Sequence, residues 1–210
     1  MAPYNSDFSR RYCLVARAQA RDDWSEMYVQ QGINMFECFA VQLNGRFPDS
    51  FGASKKVEFQ KDILRILESF GNGKGVPDGW KCFYAYRQLV LSACLFALNK
   101  TEEAWENFDS AIEKCKYVTN LKDEWLDIGG PVFANVKANK IWNYAIDEKG
   151  QTHKLFGLVR HSCADMWLIH SLLTNPRWAW FDSVRETPKY KEALEWVEAA
   201  EKKVRSTFES

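Results

Sequence analysis

The stretch "NKTEEAWENFDSAIEKC", residues 99–115, decides how the rest of the chain is read. Ala104, Phe108, Ala111, Ile112 and Cys115 recur at helical spacing, so small and aromatic side chains share one stripe. Thr101 is the expected N-cap, and Glu102 and Glu103 fall in the first turn, where the helix dipole favours negative charge. Just upstream, "GWKCFYAYRQLVLSACLFALNK" (79–100) is apolar nearly all round, interrupted by Lys81, Arg87, Gln88 and Ser92. A helix of that kind is normally buried between neighbours. Two helices joined by two or three residues must be antiparallel neighbours, so 80–118 reads as one helical hairpin.

Further helices flank it. "KKVEFQKDILRILESFGNG" (55–73) places Phe59, Ile63, Ile66, Leu67 and Phe70 on one face and ends at Gly71 and Gly73. "DWSEMYVQQGINMFECFAVQLNG" (23–45) is capped by Asp22 or Asp23 and stopped by Asn44-Gly45, then Pro48. Residues 1–20 form an N-terminal segment. Residues 121–157 break the pattern as an irregular insertion. The alternating run Ile141–Ile146, the turn-like Asp147-Glu148-Lys149-Gly150 and the returning "QTHKLFG" predict a short β-hairpin or extended flap near 131–157. Helical spacing resumes over 158–210, first in "LVRHSCADMWLIHSLLTN" and then in a final helix capped at Thr187-Pro188. That last helix is expected to bury Tyr190, Ala193, Leu194, Val197 and Ala200. The expectation is a single all-α domain over 1–210, an array of antiparallel helical hairpins carrying one inserted flap.

Composition bounds the function. Hydrophobic residues make up 46% and aromatics 15%, which is core material rather than the composition of a disordered chain. Lys plus Arg and Asp plus Glu are equal at 28 each, so no global attraction draws the chain to nucleic acid or an anionic membrane. The apolar run Tyr12–Ala16 is far shorter than the roughly 20 residues of a membrane span. Cysteines 13, 38, 82, 94, 115 and 163 form no C-x-x-C and fall mostly on apolar stripes. They are expected as reduced, buried thiols in a cytoplasmic protein.

The spacing Ala104-x-x-x-Phe108-x-x-Ala111 resembles the second helix of a tetratricopeptide repeat (TPR). Small residues let paired helices approach closely, and the aromatic fills the gap to the next hairpin. "FDSVRETPKYKEALEWV" is similar to the closing segment that follows the last repeat of such proteins, with Pro188, Tyr190 and Leu194 starting a terminal helix. Ser92 stands where the family prefers Gly and Gln88 where it prefers Trp. The resemblance implies a TPR-like stack of hairpins whose first helices line a concave groove that holds peptides or proteins.

The chemistry-bearing residues do not assemble a catalytic or metal motif. His153, His161 and His170 lack tight spacing to cysteine: His161 and Cys163 point to different faces, and His170 lies about 10.5 Å along a helix from Cys163. His161 and Asp165 are four apart, but no nucleophile elbow accompanies them. "GNGKGVPDG" (71–79) follows a helix and has no Ser or Thr after Lys74, unlike a phosphate-binding loop. The acids at 22, 23, 26 and at 102, 103, 106 sit at helix starts, where capping accounts for them. No catalytic residue, cofactor or metal ligand is assigned.

Polar groups inside apolar surroundings carry more information. Arg87 either meets a carboxylate inside the fold or faces a groove, because a buried guanidinium is costly unless paired. The candidate partner-binding residues are therefore Tyr84, Tyr86, Arg87 and Gln88 on the 80–98 helix, with Trp142 and Tyr144 on the flap. The expected function is a non-enzymatic module that binds a protein or peptide in a helical groove. The alternative is a small-molecule-sensing domain with an enclosed aromatic-rich pocket, and behind it stands an all-α enzyme. Homodimerisation through an apolar face is left open by the sequence.

Overall fold

The computed structural model describes residues 52–123, 125–127, 129, 137–139, 144–146, 152–154 and 166–206. The expected 1–20 segment, the 23–45 helix, Trp142, the 147–150 turn, His161, Cys163 and Asp165 lie outside them. The described residues are mostly helical. They comprise α1 (Gly52–Ser69), α2 (Lys81–Ala97), α3 (Thr101–Asn120), α4 (Trp167–Thr174) and α5 (Pro188–Ser206), with 3-10 turns at Asp78–Trp80 and Ala179–Phe181.

Helix α2 is the centre of the fold. It packs along α1 and α3 and meets the 179–181 turn. Every residue from Cys82 to Phe96 is buried, as expected for a helix that is apolar nearly all round. Its C-terminus reverses within Leu98–Lys100. Asn99 adopts φ 58°, its N–H donates to Phe96 O at 3.0 Å, and the Lys100 N–H donates to Leu95 O at 2.9 Å. This paired-bond stop satisfies carbonyls that the helix end would otherwise orphan, and it turns the chain straight into α3. The cap differs from expectation: Lys100 occupies the N-cap without a side-chain bond, and Thr101 is already helical.

Against α2, helix α3 buries Ala104, Phe108, Ala111, Ile112 and Cys115, the full expected stripe. Ser92 Oγ donates to the Ala104 carbonyl at 2.8 Å in the buried seam, so the hydroxyl standing where a glycine is preferred is satisfied across the hairpin. Phe108 is the wedge between this hairpin and the C-terminal elements. Its ring lies 5.5 Å from Tyr190, 6.4 Å from Phe181 and 5.2 Å from Trp105, within aromatic contact range.

The buried face of α1 is rotated from expectation. Lys56, Val57, Gln60, Ile63, Leu64 and Leu67 are buried, whereas Ile66 is exposed and Phe59 is half-buried. Two polar side chains thus enter the interior in place of two apolar ones. After α1 the chain turns tightly: a Cβ at Gly71 would stand 1.6 Å from the Gly75 carbonyl oxygen, so only glycine fits.

The insertion is more than a flap. Strands β1 (Trp125–Asp127), β2 (Lys137–Asn139), β3 (Tyr144–Ile146) and β4 (Thr152–Lys154) form an antiparallel four-stranded meander in sequence order. The expected hairpin is its β3–β4 half, with Tyr144 opposite Lys154. Leu126 of β1 is buried, and β1 contacts the 78–80 turn.

At the C-terminal end, α4 and α5 pack together. The His170 ring spans them, with Nδ1 2.5 Å from Glu201 and Nε2 3.6 Å from Glu198. Arg185 donates to the carbonyls of Leu173, Asn175 and Trp178 and so ties the end of α4 to the following loop. Thr187 Oγ1 accepts the Tyr190 N–H at 3.4 Å, and Pro188 is the first residue of α5, as expected. Tyr190 and Val197 are buried, while Ala193, Leu194 and Ala200 are partly buried against the core.

Candidate functional site

The four candidate residues on α2 do not line an open groove. Tyr84 is 7% exposed, Tyr86 8%, Arg87 2% and Gln88 7%. This corrects the expectation that the first helix of the hairpin faces a partner: α2 is enclosed by neighbours on all its sides, so its polar residues are packing positions. Tyr144 belongs to β3, and Trp142 lies outside the described residues.

What these polar groups do is hold helices together. Tyr84 Oη donates to Glu68 of α1 at 2.5 Å. Burial, reinforced by that carboxylate, pushes the Tyr84 phenol above its usual range. Gln88 Nε2 donates to Ser110 Oγ at 3.3 Å, and the same hydroxyl accepts from Lys114 Nζ at 2.6 Å. Burial, with Lys81 nearby, draws the Lys114 ammonium below its usual range despite the opposing charge of Glu68. The Arg87 guanidinium lies 4.9 Å from the Phe83 ring and 5.0 Å from the Tyr86 ring. Three helices are pinned by this layer.

A surface open to solvent lies on the other side of α3. Between α3 and α5 runs a cleft of about 270 Å³. Phe108, Ile112, Ala193 and Trp196 supply its apolar surface. Asp109 and Lys189 bridge it at one end, 2.6 Å apart. At the other end Lys116 lies 5.9 Å over the Trp196 ring and 3.0 Å from Glu113. Since 109 meets 189 and 116 meets 196, the two helices run in the same direction along the cleft. Asp109, Glu113 and Lys189 are exposed, and the rim they form is open to solvent.

The cleft exists because of what fills the space beneath it. Phe181 and Tyr190, with ring centres 5.6 Å apart and planes inclined by 58°, stand against Phe108 and keep α5 from closing onto α3 as tightly as α2 does. Sequence reasoning placed Phe108, Ile112 and Ala193 on buried stripes and gave Asp109, Lys116, Lys189 and Trp196 no role. The available signal was the charged residues beside each stripe, Asp109, Glu113 and Lys116 on α3 and Lys189 and Glu192 on α5, at helical spacing.

Among the described residues no group of three or more His, Cys, Asp or Glu side chains is arranged to hold a metal ion. Cys82, Cys94 and Cys115 are buried. No described helix is long and apolar enough to cross a membrane. Comparison of the chain with models of protein families, with curated proteins and with solved structures found no match.

Proposed function

We propose that the chain is a TPR-like interaction module that holds a segment of a protein or peptide in the cleft between α3 and α5, without catalysing a reaction. The observation that carries this reading is the cleft itself, with an apolar floor, an aromatic wall and a rim of exposed charges of both signs. That is the anatomy of a binding surface: an apolar centre that rewards desolvation and a polar edge that sets register. Its volume of about 270 Å³ lies under the roughly 300–1,000 Å³ of small-molecule pockets and suits one large side chain of a longer segment. The close Ala104–Ala111 seam and the Phe108 wedge support the TPR-like part of the reading, since they hold α3 rigidly as one wall. Three buried cysteines, none placed on the surface, support a reducing, cytoplasmic setting.

The test is a peptide-display selection on the full chain, run in parallel on Ala193→Trp, in which the indole fills the cleft. Selected peptides should bind the parent chain and lose at least tenfold in affinity for the variant, whose circular dichroism should match the parent. Peptides that bind both alike, or a selection that yields none, overturn the proposal. Self-association lost in Ala193→Trp would instead make a second copy of the chain the occupant.

A further inference from the structure

We infer that the side chain this cleft receives is an arginine, presented by a protein segment; the inference rests on the interaction-module reading above. Three carboxylates line the cleft, Asp109, Glu113 and Glu192, against two ammonium groups, Lys116 and Lys189. Both ammonium groups are already engaged, Lys189 with Asp109 at 2.6 Å and Lys116 with Glu113 at 3.0 Å. Glu192 is exposed and makes no ion pair among the described residues. Exposed Glu106 and Glu195 extend the same excess along each helix, the first two turns before Glu113 and the second one turn after Glu192. The lining therefore carries one carboxylate more than its ammonium groups, which favours a cationic visitor over an anionic one.

The aromatic wall points the same way. The rings of this region already take cations on their faces: Lys116 lies 5.9 Å over Trp196, and Lys189 lies 4.6 Å over Trp105. The Lys116 side chain is 39% exposed, so it can swing into solvent and yield the Trp196 face. Arginine fits this combination better than lysine. Its planar guanidinium stacks on an indole and presents paired N–H donors to a carboxylate such as Glu192, while its aliphatic stem lies on Ile112 and Ala193. A lysine would offer a strongly hydrated point charge and lose more on leaving water.

The experiment uses the full chain labelled with ¹⁵N-tryptophan, the Trp196 indole resonance being identified with Trp196→Phe. It is titrated with acetylated, amidated Gly-Ser-Arg-Ser-Gly and with counterparts carrying glutamine, glutamate or phenylalanine at the centre. The arginine peptide should shift the Trp196 indole N–H saturably, and the glutamine and glutamate peptides should not. Glu192→Gln, at an exposed position, should weaken the arginine peptide at least threefold, and raising the salt should weaken it further. Equal shifts from arginine and glutamine peptides, or an unchanged affinity in Glu192→Gln, overturn the arginine assignment. Saturation by the phenylalanine peptide alone also overturns it but leaves the module reading standing. No shift from any of the four overturns the arginine assignment, and the display selection decides the module separately.

Discussion

Toward α2, helix α3 presents Ala104, Ala111 and Cys115; toward α5 it presents Asp109, Glu113 and Lys116 around Phe108 and Ile112. The first face is sealed. Small side chains bring the two backbones close, and Ser92 Oγ and Gln88 Nε2 are hydrogen-bonded across the seam. The second face meets its neighbour through rings and an ion pair, with a gap between them. The difference lies in side-chain size at the contact. Alanines let helices close down to van der Waals contact, whereas the tilted Phe and Tyr rings prop them apart and leave surface open. One helix thus serves as core on one side and as a wall of the candidate site on the other.

Phe108→Ala attacks both faces together, since the ring is buried in the join between α2–α3 and α5. The expected loss is about 3–5 kcal/mol of unfolding free energy by urea titration. A loss well under 1 kcal/mol would mean that α5 does not depend on this wedge. Enlarging the sealed face alone is a smaller insult. Ala104→Leu should cost about 1–3 kcal/mol through overpacking, while Ala193→Trp on the open face should keep nearly the parent midpoint. Equal losses for the two would erase the distinction between the faces.

The mildest probe is alkaline pH. Burial raises the phenols of Tyr84, on the sealed side, and Tyr190, beneath the cleft, above their ordinary value of about 10. Each group is raised on folding, so its contribution to stability is complete below pH about 10 and fades as pH rises through the window above it. The urea midpoint should therefore fall between pH 9.5 and about 11.5. Both phenols should titrate late in the absorbance of the folded chain. Loss of only the Tyr190 component in Phe108→Ala would show that the two sides are held independently.

Much of this fold was legible because periodicity reports one-sided burial. The α2–α3 hairpin, the five-residue stripe of α3, the Thr187-Pro188 start of α5 and the β3–β4 pairing all follow from local pattern and turn chemistry. Where the reading failed, the deciding partner lay far away in the chain. Nothing local marks Lys56 and Gln60 for the interior or Ile66 for the surface. From the sequence Arg87 is either paired inside the fold or facing a groove, because a buried guanidinium is costly unless paired, and the pattern along α2 does not choose between them. Neighbouring helices and ring faces enclose Arg87 and Gln88.

The sequence by itself determined which segments become helices, where they are capped, and which hairpin forms, since those depend on residues within a turn or two of one another. Only the tertiary structure decided which face of each helix stays open. Burial of α2 needs α1, α3 and the 179–181 turn together, and the cleft needs Phe108, Phe181 and Tyr190 to meet across more than seventy residues of chain. A side chain's neighbours along the helix are set by the 3.6-residue period, but its neighbours across the interior are set by how the helices stack.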